Sequence, residues 1–255
     1  MREIRAIIIQ PQDFVYPPAA KDAINAHWLL CRDWIQFKAG VKLRWLPSPT
    51  WLVAPWDYNS VASEVIRPGG NLPEKVFGWL NSDPTLPPAL WSRGTVAAES
   101  QDAWCVMVLG AGGWSGSSQK GTGENISWAM VGSAVLGPIL RASGLPTLDD
   151  CGNFFPAGAW QCEYGTAVGT IIHETSHAAF AVDHGTEAEN QQNSSHVMRA
   201  HWEVNPNDFS ASGYLPRHLE QIRASNYLAT EETGGGISAL LTILALVVAG
   251  LVLRR

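Results

Sequence analysis

Apolar residues near the start of the chain follow two different spacings. Residues 4–9 form a short apolar run that ends at Gln10-Pro11, which predicts a buried strand. From Pro17 to about residue 37, apolar side chains recur at steps of three and four, which predicts a core-facing helix. A second strand is predicted over 41–46. This strand–helix–strand order indicates an α/β layer, and the expected fold class is α/β (α+β).

The rest of the folded region is expected to contain fewer regular elements. A glycine-rich segment, 110–123, is predicted to be a loop, and it matches no phosphate-binding glycine pattern. The apolar spacing predicts helices over 73–80, 166–181 and 217–227 and strands over 103–109 and 128–136.

An uncharged apolar run, 237–253, lies close to the end of the sequence. A helix of this length covers about 25 Å, near the roughly 30 Å of a bilayer core, so the run predicts a transmembrane helix. The chain then divides into a folded domain, 1–228, a linker, 229–236, and the membrane helix. Arg254 and Arg255 favour a domain outside the cytoplasm. Because the first residues do not resemble a signal peptide, a tail anchor with a cytoplasmic domain is the alternative.

Composition and charge limit the classes of function. Hydrophobic residues make up 46% and charged residues 16% of the chain, a balance typical of a folded protein. The formal net charge is −6, and no basic stripe is present. We therefore expect no nucleic-acid partner.

The four cysteines contain no CxxC motif. Cys31 and Cys105 lie in apolar stretches and are expected to be buried thiols. Cys151 and Cys162 bracket a loop rich in glycine and proline, where a disulfide and two free thiols are both open alternatives.

Histidine is concentrated in one part of the chain, with five of seven between residues 173 and 201. His173, Glu174 and His177 form an H-E-x-x-H pattern on the predicted central helix. Histidines four apart lie about 40° apart around a helix and about 6 Å along it, so both can reach one zinc ion. Glu174 is rotated by about 100° from that face. Its carboxylate can instead take a proton from a zinc-activated water, whose pKa falls to about 7.

A third protein ligand is needed, and helix geometry limits it. If the helix continued to Gly185, His184 would lie about 10 Å beyond His177 along the axis, too far for one ion. The chain must therefore turn soon after His177 for Asp183 or His184 to fold back. Further alternatives are Glu187, Glu189, His196 and His201.

The segment from His173 to Asp183 resembles the metzincin clan of zinc peptidases, whose pattern is H-E-x-x-H-x-x-G-x-x-H/D. The resemblance implies Asp183 as the third zinc ligand, as in the snapalysin variant, with Phe180 in place of the glycine. It also implies that Met198 lies in a methionine turn below the metal, and that His201 stabilises an oxyanion. The implied fold is a twisted mixed sheet with a central active-site helix and a less regular C-terminal subdomain.

The activity implied by the resemblance is that of a zinc metalloendopeptidase with a protein or peptide substrate. His173, His177 and Asp183 hold Zn²⁺, and Glu174 is the general base and then the acid. Two alternatives remain open. One is a membrane-tethered, non-catalytic zinc-binding module for interaction, and the other is a zinc amidase that acts on a cell-wall amide.

Overall fold

The computed structural model of the chain describes residues 2–13, 15–58, 60–61, 71–85, 102–109, 115–118, 127–132, 136, 164–200, 204, 208–210 and 212–229. The strands in this part are β1 (Ile4–Gln10), β2 (Thr50–Val53), β3 (Ala103–Val108), β4 (Ser115–Ser118) and β5 (Ser127–Gly132). The helices are α1 (Pro18–Ala39), α2 (Leu72–Ser82), α3 (Tyr164–Phe180), α4 (Glu187–Gln192) and α5 (Pro216–Arg223).

The five strands form one sheet in the order β2-β1-β3-β5-β4. The first four strands in that order are parallel to their neighbours, and β4 is antiparallel to β5. β4 therefore lies at one edge of the sheet. The protein is a mixed α/β fold with a mostly parallel sheet.

Alternate side chains of β1 face two different layers of helices. Ile4, Ala6 and Ile8 pack in the core that contains α1 and α3. Ile7 and Ile9 pack on the opposite face, in the core that contains α2. A parallel strand covered on both faces is apolar at nearly every position, which explains why this segment appears as a continuous apolar run in the sequence.

α3 lies on the sheet against β3, β4 and β5 and also packs against α1. Val168, Ile171 and Ile172 are fully buried in this layer. The apolar residues before the H-E-x-x-H pattern thus fix α3 on the sheet.

Two predicted elements differ from the observed ones. Residues 41–46 form only isolated bridges, Ile4 with Trp45 and Leu43 with Leu228, and the second strand is instead β2. Backbone hydrogen bonds join the segment to Ile4 on one side and to residues 227–229 on the other, so it forms isolated bridges and no continuous ladder with β1. Within the predicted loop 110–123, residues 115–118 form β4. Its Ser-Gly-Ser-Ser sequence has low strand propensity, so pairing with β5 determines its conformation.

The prediction of a single-pass membrane helix is corrected. No helix in the described ranges is long and apolar enough to cross a bilayer. Residues 237–253, on which the prediction was based, lie outside those ranges. A transmembrane helix is therefore not part of the described fold, and the predicted membrane location with an external domain is corrected as well.

Candidate metal centre

α3 places the first two histidines of the site side by side. His173 is buried and His177 is partly buried, and their Nε2 atoms lie 3.1 Å apart. The separation follows from the spacing of four residues, which puts both side chains on one helix face.

The third histidine reaches the site because the chain turns at the end of α3. Phe180 is the last helical residue, and Ala181 adopts a left-handed conformation with φ of 57°. His184 then folds back so that its Nε2 lies 3.1 Å from that of His177 and 3.2 Å from that of His173. Among the described residues, His173, His177 and His184 are the group whose geometry suits a metal ion.

Relative to the metzincin pattern, this turn comes one residue later. The pattern has its glycine seven residues after the first histidine and its third ligand three residues after the glycine. Here the left-handed residue, Ala181, comes eight residues after His173, and His184 again follows it by three. Phe180 stands at the position of the glycine but is helical and buried in the core. The third histidine of this chain therefore lies eleven residues after His173, whereas the third ligand of that pattern lies ten residues after the first histidine.

Hydrogen bonds fix which ring nitrogen of each helical histidine faces the cluster. Nδ1 of His173 lies 3.1 Å from the carbonyl oxygen of Val197, and Nδ1 of His177 lies 2.6 Å from that of Val182. A carbonyl oxygen only accepts, so each Nδ1 donates its proton and each Nε2 carries a lone pair. Burial lowers the pKa of both imidazoles to about 4, which keeps the rings neutral at pH 7.

This donor set fits a zinc ion. In tetrahedral coordination with Zn–N bonds of 2.0–2.1 Å, ligand nitrogens lie about 3.3–3.4 Å apart. The three Nε2 atoms form a nearly equilateral triangle with sides of 3.1, 3.1 and 3.2 Å. The Nε2 lone pairs of His173 and His177 face one another, an arrangement that a cation between them makes favourable. Metal-binding histidines commonly donate the N–H of their other ring nitrogen to a carbonyl oxygen in this way.

Glu174 is buried next to the triangle and faces the edge strand. Burial raises the pKa of its carboxyl above the usual value, and hydrogen bonds from the hydroxyls of Ser117 and Ser115 on β4 partly oppose this rise. The carboxyl is thus held between the metal centre and the sheet edge.

Asp183, the third ligand implied by the resemblance, is not a member of the metal-binding group. Its carboxylate instead forms an ion pair with Arg217, with Nη1 to Oδ2 at 2.9 Å. Its pKa is well below the usual range, first because of hydrogen bonds from that guanidinium. His184, the other candidate for the position, supplies the third nitrogen.

The other candidate ligands have different surroundings. Glu189 also pairs with Arg217, and His196 is buried with its Nε2 2.6 Å from Oδ1 of Asn190. Glu187 is exposed on α4. His201 lies outside the described residues, as do Cys151 and Cys162. Cys31 and Cys105 are buried free thiols, as predicted.

Met198 is fully buried, in the turn that follows His196. The residue before it, Val197, provides the carbonyl that accepts from His173. Val197, next to Met198, thus contacts the site through its backbone carbonyl. The roles of Ser115, Ser117 and Arg217 could not be predicted from the sequence, because two serines in a glycine-rich segment and one arginine 33 residues past His184 form no recognisable pattern.

No protein-family model matches this chain, and no curated protein or solved structure matches it significantly. The geometry of the site is therefore the basis for proposing a function.

Proposed function

We propose that this chain is a zinc-dependent peptidase in which His173, His177 and His184 hold the ion and Glu174 is the general base. The observation that carries the proposal is the triangle of three Nε2 atoms, 3.1–3.2 Å apart, with a buried carboxylate on the adjacent helix position. A histidine triangle alone fits any zinc site. The carboxylate beside it is what favours hydrolysis.

When bound, zinc supplies Lewis acidity, which lowers the pKa of water to about 7 and polarises a carbonyl. Glu174 provides the proton transfer. Its carboxylate takes the proton of the attacking water and delivers it to the nitrogen of the leaving amine, so that an amide and a water become a carboxylic acid and an amine. Burial raises the pKa of the Glu174 carboxyl, which is the direction that favours a carboxylate as a general base.

The edge strand β4 supports the proposal in two ways. Ser115 and Ser117, two residues apart and therefore on one face of the strand, orient the Glu174 carboxylate. Among the described strands, β4 is the last in the sheet order, and none of the others pairs with its outer edge, where an extended peptide would add. A peptide added there would pair with the strand whose serines contact Glu174.

The number and exposure of the ligands favour catalysis over structural zinc. Structural sites usually have four protein ligands, whereas catalytic sites have three and leave one position open. Within the described ranges the group has three members, and its third, His184, is on the exposed side. The site therefore has a solvent-facing side that a substrate carbonyl can approach.

The test compares the full chain with Glu174→Gln and with Glu187→Gln as a matched control, since Glu187 is an exposed carboxylate outside the site. Zinc content and hydrolysis of an unfolded, fluorescently labelled protein are measured for all three. We expect equal zinc in each protein and a loss of hydrolysis of about 10²–10⁴-fold in Glu174→Gln alone.

Each other outcome points to a different function. Zinc in every protein without hydrolysis in the parent contradicts a peptidase and favours a zinc-binding module. Hydrolysis of a cell-wall amide, but not of the unfolded protein, favours an amidase with the same site. Absence of zinc from the parent contradicts the whole proposal.

A further inference from the structure

The three candidate ligands differ in how the fold holds them, because the first two lie on a helix and the third lies in an irregular segment. His173 and His177 are fixed by α3 and by hydrogen bonds from their Nδ1 atoms to backbone carbonyls. His184 is exposed and lies between two helices, in the segment 181–186, which has no regular secondary structure. A ligand in such a segment needs support from outside its own backbone.

Arg217, near the start of α5, forms hydrogen bonds to acidic residues on either side of His184 in the sequence. Before His184, Nη1 of Arg217 donates to Oδ2 of Asp183 at 2.9 Å, and Nη2 donates to Oδ1 of the same carboxylate. After His184, Nε of Arg217 donates to Oε1 of Glu189 at 2.7 Å, and Nη2 also donates to Oε2 of Glu189 at 3.1 Å. One guanidinium therefore bridges the residue before His184 and the first turn of α4 after it.

Each of the two carboxylates in turn organises the backbone around His184. Oδ1 of Asp183 accepts from the Gly185 amide at 2.7 Å. Oε2 of Glu189 accepts from the Thr186 amide at 2.7 Å, which completes the capping box of α4. The amides on the C-terminal side of His184 are thus tied to the two acidic groups that Arg217 joins.

Arg217, Asp183 and Glu189 together form a clamp around His184, and the helix α5 that carries Arg217 is fixed in the core. His218 and Ile222 of the helix are fully buried, and Nε2 of His218 lies 3.5 Å from Oδ1 of Asp183. Gln221, one turn further along, donates to the carbonyl of Ala181 at 3.3 Å. The helix therefore contacts the turn at Ala181 as well as the segment beyond it.

From these contacts we infer that Arg217 is a positioning residue, which holds His184 in the metal triangle through Asp183 and Glu189. The inference rests on the proposed metal site and names the group that completes it. Arg217 does not touch the triangle. Because the Asp183–Arg217 pair is largely exposed, with 63% of the Asp183 side chain accessible, it contributes little to global stability and acts on local geometry.

The test measures zinc affinity of the full chain by competition with a chromophoric chelator. Arg217→Met keeps an unbranched apolar side chain but removes the guanidinium, and we expect zinc to bind about 10–100-fold more weakly, as for other groups that orient metal ligands. Arg217→Lys, which cannot bind both carboxylates bidentately, is expected to fall between parent and Arg217→Met. The matched control is Arg223→Met, since Arg223 lies on the same helix but donates to Ala39. We expect its affinity to stay within about twofold of the parent.

A double-mutant cycle that combines Arg217→Met with Asp183→Asn distinguishes two roles of Asp183, one as a partner of Arg217 and the other as a zinc ligand. If Asp183 acts only through Arg217, the double variant binds zinc no more weakly than the weaker single variant. If Asp183 is itself a ligand, the two losses add. The visible spectrum of the Co²⁺-loaded proteins gives a second measure, since a displaced His184 changes the coordination and a purely structural loss does not.

The outcomes separate this inference from the proposed function. Unchanged zinc affinity in Arg217→Met, or additive losses in the cycle, overturns the clamp while the metal site stands. A parent that binds no zinc overturns the proposed function instead. If Arg217→Met does not fold, Arg217→Lys decides, because parent-like affinity in that variant with a parent-like Co²⁺ spectrum contradicts the inference.

Discussion

Nδ1 of His173 donates to the carbonyl oxygen of Val197, across 24 residues of sequence. The bond links α3 to the turn that contains Met198, so a ligand of the metal site is also a contact between two parts of the core. An ion held by His173, His177 and His184 consequently adds a further connection between the helix and the segment after it. Metal binding is therefore expected to stabilise the fold.

Zinc is predicted to raise the melting temperature of the metal-free protein. At a free zinc concentration of 100 times Kd, binding stabilises the folded state by about 2.7 kcal/mol. For a domain of this size that corresponds to about 5–11 °C in Tm. The measurement is thermal unfolding with zinc and with chelator. His184→Ala, which leaves two ligands, should shift by less than about 2 °C at the same zinc concentration, and an equal shift in both proteins would contradict the three-ligand site.

Three glycines are predicted to respond differently to alanine. Gly185 has φ of +80°, and a Cβ there would lie 2.9 Å from Oδ1 of Asn190 and 3.1 Å from Cδ1 of Leu215. Gly40, at the end of α1, has φ of +66° but no atom within 4 Å of the added carbon, and Gly78 has neither constraint. Gly78→Ala should raise the free energy of unfolding by about 0.5–1 kcal/mol. Gly40→Ala should lower it by about 1–2 kcal/mol, and Gly185→Ala should lower it by more.

Urea unfolding of the metal-free proteins tests this order. Gly40→Ala is the matched control, because it shares the left-handed backbone of Gly185 without its close neighbours. Equal losses in the two variants would show that the space around Gly185 adapts to a methyl group.

Ser117→Ala is predicted to reduce hydrolysis without weakening zinc binding. Ser117 donates to the Glu174 carboxylate, and a hydrogen bond to a charged group is worth about 1.5–3 kcal/mol. We expect kcat to fall by at least about tenfold, because the carboxylate loses orientation towards the water. Ser195→Ala is the control, since that hydroxyl is exposed and bonds only locally, to Asn193. A parallel fall in zinc affinity for Ser117→Ala would instead indicate that β4 supports the metal site itself.

His27 is predicted to make the protein less stable in mild acid. Burial lowers the pKa of this imidazole on α1, whereas the unfolded chain has a value near 6.5. Below about pH 6.5 the unfolded state therefore binds a proton that the folded state does not, and the free energy of unfolding declines as pH falls. His27→Gln should show a smaller decline between pH 7.5 and 5.5 in denaturant titrations. If both proteins decline equally, His27 is not held neutral by the fold.

The sequence was most informative where one local pattern determines the structure. β1, β3 and β5 were expected from apolar runs, because strands covered on both faces are apolar throughout. β4 was missed, since its serines and glycine carry no apolar alternation and only its pairing with β5 makes it a strand. Residues 41–46 have strand-like composition, but they pair with Ile4 and with residues 227–229 only through isolated bridges.

The same distinction applies to the metal site. His173, Glu174 and His177 could be identified from helix periodicity alone. The identity of the third metal ligand depended on where α3 ends. That end is set by Phe180, which packs into the core, and by the left-handed conformation of Ala181. Nothing in the local sequence predicts a left-handed residue at this position. Asp183 and His184 are adjacent in sequence, so a difference of one residue in the turn decides which of them reaches the triangle.

The end of α3 has a consequence for how the third histidine is placed. One more helical residue would rotate the point where the chain leaves the helix by about 100° and move it by about 1.5 Å. The arm from Ala181 to His184 is anchored on α5 through Gln221 and Arg217. The length of α3 and the position of α5 must therefore match for His184 to reach the other two nitrogens.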